Sequence, residues 1–157
     1  MKLMFGTLAL ATLLSISTAA SAADAPDSVI GTWKLNTAKS SGGSLPKSET
    51  RTYAAAPGGG LALSWKRVGA DGKETSVQAT YKYDGKDYPV TGSRDFDSLS
   101  VTRVDANTTH GTQKRMGKPV GTSTRTISKD GKTMTLVSEL TSAKGEKTTT
   151  TLVYDRQ

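Results

Sequence analysis

Three arginines occupy positions where a strand pattern turns them toward the protein interior. Each shares a strand face with an apolar or aromatic residue two positions away, as in the pairs Arg51 and Tyr53, Val101 and Arg103, and Arg125 and Ile127. A guanidinium inside a protein is costly unless a carboxylate, water or an anionic ligand pairs with it. We therefore expect Arg51, Arg103 and Arg125 to anchor an acidic ligand. The aromatic residues expected to line the same site are Tyr53, Trp65, Tyr81 and Tyr83.

The same arginines have a structural alternative, in which they face solvent or pair with Glu49, Asp97 or Glu139. Other chemistry finds little support in the sequence. There is one histidine, His110, and no cysteine, which excludes thiol catalysis and cysteine zinc sites. No Gly-x-Ser-x-Gly pattern is present to supply a nucleophile for His110. We predict a non-enzymatic protein with no catalytic residues, no metal site and no cofactor.

Residues 1–22 have the organisation of a secretion signal. Lys2 supplies a positive start, Leu3 to Ile16 is mostly apolar, and Ala20-Ser21-Ala22 matches a small-x-small cleavage site. The apolar run is short for a membrane span, and an uncleaved N-terminal anchor is the alternative. We expect cleavage after Ala22 and a periplasmic or secreted protein that does not span the membrane, with one mature domain over residues 23–157.

Composition limits the partners of this chain. The formal charge is +7, and cleavage removes only Lys2 from it, so anionic partners are favoured. Nucleic acid is not expected, because single-strand binders stack bases on exposed aromatic side chains and this chain has few aromatics to spare from its core. The expected partner is a small apolar or acidic ligand. The sequence does not predict the oligomeric state.

Short alternating strands follow the leader almost to the C-terminus. In one of them, Leu61, Leu63 and Trp65 alternate with polar residues. The hairpin signals include Asp71-Gly72, Asp84-Gly85 and Asp130-Gly131. Tight turns make neighbouring strands antiparallel, and closure of a long meander removes the sheet edges. We predict an all-β, antiparallel up-and-down β-barrel of about eight to ten strands, with an open two-sheet sandwich as the alternative. The low content of large apolar residues indicates a thin core or a partly polar lumen.

The first strand resembles a known signature. Gly31-Thr32-Trp33-Lys34-Leu35 is similar to the Gly-x-Trp first strand of the lipocalin and fatty-acid-binding-protein superfamily, the calycins. The mature chain as a whole resembles small exported bacterial lipocalin-like proteins, whose function is largely uncharacterised. The stretches that carry this broader resemblance are Gly31 to Ser40, Tyr83 to Gly92, Ser123 to Arg125 and Ser128 to Met134.

The resemblance implies roles for particular residues. In the superfamily, the first-strand Trp plugs the closed end of the barrel, often under an Arg from the last strand, which implies a structural plug of Trp33 and Arg156. Fatty-acid-binding proteins end in an Arg-x-Tyr that holds a carboxylate. Here Tyr154 matches the Tyr, but Leu152 stands at the Arg position. The helix-turn-helix lid of that family has no counterpart in Thr37 to Lys47, so a bound acid would need another arginine.

These observations lead to one expected function and one alternative. We expect a periplasmic or secreted binding protein for a small hydrophobic or amphipathic ligand, including an anionic one, held in the barrel lumen. The alternative is a non-enzymatic, envelope-associated interaction protein with a filled barrel, in which the long loop from Thr37 to Lys47 carries the contacts. A lumen no larger than a few waters would favour the alternative.

Overall fold

The computed structural model describes residues 27–142 and 144–157, which form a closed β-barrel. Its strands are β1 (Gly31–Leu35), β2 (Ser41–Gly42), β3 (Ser48–Ala55), β4 (Leu61–Val68), β5 (Glu74–Tyr81), β6 (Tyr88–Thr91), β7 (Ser98–Arg103), β8 (Thr108–Arg115), β9 (Lys118–Ile127), β10 (Thr133–Thr141) and β11 (Lys147–Arg156). A short 3-10 turn spans Thr37–Lys39. In this part of the chain, no helix is long and apolar enough to cross a bilayer. The predicted signal segment 1–22 lies outside the described residues.

Pairing of the first and last long strands closes the barrel. Each long strand pairs antiparallel with its neighbours in sequence, and Trp33 of β1 pairs with Arg51 of β3 on one side and with Arg156 of β11 on the other. Strand β2 has only two residues and pairs with β11 further along, so the barrel itself has ten strands. The prediction of an up-and-down barrel is confirmed, and the open sandwich is wrong.

Side chains alternate between core and surface as the sequence pattern predicts. On β4, Leu61, Leu63 and Trp65 are buried, and the residue after each of them is less buried or exposed. On β5, Val77 and Tyr81 are buried in the same way, between exposed polar positions. This period of two fixes which side chains face the lumen, because neighbouring residues of a strand point to opposite sides of the sheet.

The short strand β6 is the least regular part of the wall. It forms two residue pairs with β5 and two with β7. Pro89 lies within β6 and has no N–H to donate to a ladder, which keeps the pairing short. A proline inside a strand pattern typically marks an edge strand or an irregular segment. The segment is irregular, but it lies inside the closed wall and not at an edge.

The barrel end where the chain enters β1 and leaves β11, here called the closed end, is sealed by Trp33. Trp33 is fully buried and donates its indole N–H to the Val29 carbonyl at 2.7 Å. The Arg156 guanidinium carbon lies 4.2 Å from the Trp33 ring centroid. Arg156 donates to the carbonyls of Gly131 at 2.6 Å and Ile30 at 2.8 Å, and also to that of Ser28. Arg156 therefore ties the entering chain, the β9–β10 turn and the Trp33 ring together.

Steric crowding explains why glycine occupies the first position of the Gly-x-Trp stretch. Gly31 has a φ of +136°, and a Cβ at this position would lie 2.7 Å from Arg156 Nη1. A side chain would therefore collide with the guanidinium and strain the backbone. Gly31 lets the chain pass beneath Arg156 while Arg156 covers Trp33.

Replacing Arg156 by methionine is expected to lower the free energy of unfolding by about 2–4 kcal/mol, because three hydrogen bonds from a charged donor and the contact with Trp33 are lost. Urea denaturation measures this change. Ligand affinity should stay the same, since Arg156 lies outside the lumen. An unchanged unfolding curve would contradict the structural role of Arg156.

Candidate ligand-binding cavity

The barrel encloses a cavity of about 440 Å³, a size typical of small-molecule sites. It reaches the loops 36–47 and 92–97 at the end opposite the plug, here called the open end, where Pro46, Arg94 and Phe96 line its mouth. One wall, from β4, β5 and β7, is apolar and consists of Leu63, Trp65, Val77, Leu99 and Val101. The lumen therefore has room for a small ligand with an apolar side.

Most of the residues predicted to contact a ligand line this cavity, namely Arg51, Tyr53, Trp65, Tyr81 and Arg125. Tyr83 and Arg103 do not. Tyr83 lies beyond the last residue of β5, where the alternation ends. The expectation that Arg103 points inward with Val101 is wrong. Arg103 is the last residue of β7, its side chain is 39% exposed, and it forms an ion pair with Asp27 at the closed end. At the end of a strand, the guanidinium reaches water and a carboxylate, which is cheaper than an unpaired position in the lumen.

Arg51 belongs to a buried ion network. Glu49, on the same inward face of β3, accepts hydrogen bonds from Arg51 Nε and Arg67 Nε. The Tyr154 hydroxyl donates to Glu49 Oε1 at 2.7 Å and accepts from Arg51 Nε at 3.1 Å. The Arg51 guanidinium carbon lies 4.7 Å from the ring centroid of Trp65. Pairing with Glu49 is the structural alternative that the sequence left open for Arg51, and it compensates the Arg51 charge.

Electrostatics keep this network in one protonation state. Burial alone would raise the pKa of Glu49, but the charges of Arg51 and Arg67 and the Tyr154 hydroxyl outweigh burial and hold that pKa below its usual value. Burial raises the pKa of Tyr154, against the opposing charge of Arg51, so its hydroxyl stays protonated and donates to Glu49. Glu49 is therefore a carboxylate that joins two arginines to the wall of the barrel.

Arg125 differs because no carboxylate of residues 27–142 or 144–157 forms an ion pair with it. The residue is 6% exposed, and its Nη1 and Nη2 donate to the hydroxyls of Tyr81 at 3.2 Å and Tyr83 at 2.7 Å. Its Nε is buried without a partner, and no carboxylate of the described residues lies within ion-pair distance. Burial alone would lower the pKa of Arg125, but the surrounding tyrosines, Tyr53 among them, raise it, so the guanidinium stays charged. A charged side chain at the cavity wall is thus held, within the described part of the chain, by neutral hydrogen-bond partners.

Tyr83 connects Arg125 to the exterior of the closed end. Its hydroxyl donates to Asp27 Oδ2 at 2.6 Å, and Asp27 in turn pairs with Arg103. The Arg103 guanidinium carbon lies 4.5 Å from the Tyr83 ring centroid. Burial, together with the bond to Asp27, raises the pKa of Tyr83 to about 12 in spite of the nearby Arg125 charge. Tyr83 therefore holds Arg125 by a hydrogen bond, and Arg103 packs on Tyr83. Neither Tyr83 nor Arg103 lines the lumen.

The sequence pattern does not single out Arg67 and treats Glu49 only as a possible counter-ion. The sequence could have placed Glu49 in the lumen, since Glu49, Arg51 and Tyr53 occupy alternate positions of one strand and share a face. Arg67 pairs with Glu49 directly across β3 and β4. That pairing depends on the register of the hairpin, which the alternation of either strand alone does not fix.

Neither metal nor histidine chemistry is evident in the part of the chain that the structure describes. There, no three or more His, Cys, Asp or Glu side chains come together as a metal site would require. His110 is exposed on β8, and its Nδ1 lies 2.9 Å from the Thr124 hydroxyl. Its position is that of a solvent-facing side chain on the outer face of the barrel.

The class of this protein is defined by its barrel and cavity. No protein-family model matches the chain, and a search of curated proteins finds no similar one. The molecule is a ten-stranded antiparallel up-and-down barrel, compatible with a calycin-like fold. Its lumen is open toward loops 36–47 and 92–97 and is lined near the closed end by Arg125.

Proposed function

We propose that this chain is an exported lipocalin-like binding protein for a small amphipathic anion. The acid group of the ligand, with a carboxylate as the best match, pairs with Arg125, and its apolar part extends past Trp65 toward the open end. The observation that carries the proposal is the buried, charged Arg125 at the cavity wall, which only neutral tyrosines contact among the described residues.

The energetics of Arg125 favour an anionic ligand. A buried charge without a counter-ion costs several kcal/mol even after relaxation of its surroundings. A ligand carboxylate would offset that cost and accept charge-assisted hydrogen bonds, which are roughly twice as strong as neutral ones. An apolar ligand would leave Arg125 uncompensated. The ligand-free protein therefore keeps a cost that binding of an anion relieves.

The charge balance of the lumen points the same way. The charged residues that line the cavity are Arg51, Arg67, Arg94, Asp95 and Arg125. The buried Glu49 is added to this set because it pairs with Arg51 and Arg67. Cations exceed anions in this set, and one of the excess cations is Arg125, in the wall furthest from the mouth. The cavity has low-dielectric walls, which strengthen the attraction for an anion.

The position of Arg125 also sets the orientation of the ligand. Arg125 lies two residues before the end of β9 at the closed end, whereas Phe96 lies at the mouth and stacks against Trp65 with ring centroids 6.4 Å apart. An acid group at Arg125 thus lies deep in the barrel. The apolar part then runs along the wall of Leu63, Trp65 and Val77. This orientation needs no arginine at the position of Leu152.

The filled-barrel alternative receives no support from a specific observation. It calls for a lumen no larger than a few waters, and a water molecule occupies about 30 Å³ in the liquid. The cavity of about 440 Å³ is several times larger than the volume of a few waters. We therefore retain the ligand-binding function and the absence of catalysis as the proposal.

Titration with three amphiphiles of equal chain length tests the proposal. The leader-free protein should bind dodecanoic acid saturably and about tenfold or more tighter than dodecanol, because only the acid pairs with Arg125. Dodecylamine should not bind measurably, since its charge repels Arg125. Quenching of Trp65 fluorescence reports binding at the cavity wall.

A Trp65→Phe variant is the control for the signal, because Trp33 lies in the plug outside the cavity. Quenching should disappear in this variant while binding, followed by calorimetry, persists. An organic extract of the purified protein identifies acids that it has already bound. No saturable binding of any acid, together with an extract free of acids, would overturn the proposed function.

A further inference from the structure

A row of hydroxyl groups crosses the lumen side of three strands, β9, β10 and β11, and ends beside a glycine of β8. Gly111 of β8 pairs with Ser123 of β9, Ser123 with Ser138 of β10, and Ser138 with Thr150 of β11. All of these residues line the cavity. Because residues in register across a sheet lie side by side, the three hydroxyl groups, here called the hydroxyl row, follow one another at strand spacing of about 5 Å.

The hydroxyl row is poorly satisfied by the protein. Ser123 Oγ accepts a hydrogen bond from Gln113 Nε2 at 2.8 Å, which leaves the Ser123 proton available as a donor. Within the described residues, Ser138 and Thr150 use their hydroxyls in no side-chain hydrogen bond, and the Gln113 Oε1 is buried without a partner. Ser138 and Thr150 are half-buried, so water in the open lumen reaches their hydroxyls when no ligand is present. Because buried polar groups are normally paired, a ligand that displaces this water must supply a polar partner in its place.

The row lies at a defined distance from Arg125. Ser123 precedes Arg125 by two residues on the same face of β9, a separation of about 7 Å along the strand. Gly111 keeps the space beside the row open, because a Cβ there would lie 2.8 Å from Ser123 Oγ. On β10 and β11 the row is flanked by the cavity-lining side chains Leu136, Leu140 and Leu152, and the wall from β4, β5 and β7 presents mainly apolar side chains. A ligand that fits both walls has a polar group on one side, part of the way along its length.

We propose that the ligand is a hydroxylated amphipathic acid, whose hydroxyl lies against the hydroxyl row while its acid group pairs with Arg125. This inference rests on the proposed function. A ligand hydroxyl both donates and accepts, so it suits the Ser123, Ser138 and Thr150 hydroxyls whichever way their protons point. A ligand without that group leaves the row unpaired in a lumen from which it has displaced water, and sites built to bind a hydroxyl discriminate strongly against analogues that lack it.

Matched pairs of acids test the inference. We expect mid-chain hydroxydodecanoic acid to bind about tenfold or more tighter than dodecanoic acid, and tighter than the isomers with the hydroxyl next to the acid or at the terminal carbon. The double variant Ser138→Ala with Thr150→Val should reduce the preference to about twofold or less. Thr149→Val is the matched control on the outer face of β11 and should leave the preference unchanged. Circular dichroism and thermal midpoints verify that each variant is folded.

The outcomes separate this inference from the proposed function. If dodecanoic acid and its hydroxylated isomers bind equally, or if the preference survives the double variant, the hydroxyl row holds only water and the inference is wrong, while the function stands. If no acid binds, the proposed function is wrong, and the inference about the hydroxyl row falls with it. A preference that depends on Ser138 and Thr150, but not on Thr149, establishes the hydroxyl row as a specificity site.

Discussion

Replacing Arg125 by methionine is expected to weaken binding of an amphipathic acid by about 30-fold or more, because the ligand carboxylate loses its buried counter-ion. The same change should leave the thermal midpoint of the ligand-free protein unchanged or raise it, since it removes a buried charge that no described carboxylate pairs with and keeps most of the volume. This opposition between affinity and stability distinguishes a binding residue from a structural one. Calorimetric titration and thermal unfolding of the same preparation measure both.

Arg94→Met is the matched control for Arg125→Met. Arg94 lines the mouth of the same cavity but is exposed, so its charge is screened by water. Affinity for the acid should change by less than about threefold. A large loss of stability in Arg125→Met with unchanged affinity would assign Arg125 to the framework of the barrel and contradict the proposed function.

Replacing Glu49 by glutamine is expected to lower the free energy of unfolding by about 3 kcal/mol or more. The change keeps the shape of the side chain but removes the anion that pairs with Arg51 and Arg67, and breaking a buried pair leaves an uncompensated buried charge. Arg51 is 7% exposed and depends on Glu49 for its counter-ion, whereas the side chain of Arg67 is 34% exposed and loses less. Urea denaturation measures the change. Glu74→Gln on the exposed face of β5 is the control and should change stability by less than about 0.5 kcal/mol.

The pH dependence of stability provides a second signature of Glu49. Its pKa in the folded protein lies below the value of 4.5 that is usual for a glutamate, so the unfolded state binds the proton more readily. The stabilisation from ionised Glu49 is therefore complete above pH 4.5 and is lost as the pH falls through the folded pKa. Below pH 4.5, the slope of unfolding free energy against pH should be smaller in Glu49→Gln than in the wild type. Equal slopes would show that Glu49 does not titrate as the network requires.

Residue alternation predicts the parts of the site that lie in the middle of strands. Trp65 and Tyr53 lie within β4 and β3 on faces with buried neighbours, and both line the cavity. Arg125 is predicted inward by its spacing from Ile127, and its pattern is unbroken because β9 continues to Ile127. Arg103 has an equally good pattern with Val101, but β7 ends at Arg103 and the side chain turns to Asp27. Periodicity does not locate a strand end, and the direction of a terminal side chain depends on which partner is near.

Partners across strands are less accessible to sequence reasoning. The hydroxyl row is formed by residues that are up to 27 positions apart in the chain, and it exists only because two hairpins have the registers that align Ser123, Ser138 and Thr150. A shift of one residue in any hairpin would turn a whole strand face outward. The same holds for the pairing of Glu49 with Arg67.

The sequence by itself determined the all-β architecture, because residue alternation and turn chemistry act between neighbours in the chain. The period of two, the Asp-Gly turns and the Gly-x-Trp stretch are short-range signals, and together they predict an antiparallel meander, which the structure closes at Trp33. Only the tertiary structure decided which of the three arginines lacks a contacting carboxylate among the described residues. Arg51, Arg103 and Arg125 look alike in the sequence, but Glu49 and Asp27 reach the first two and no described carboxylate reaches the third. Charge compensation is a matter of distances in space, and the closing of the barrel sets those distances.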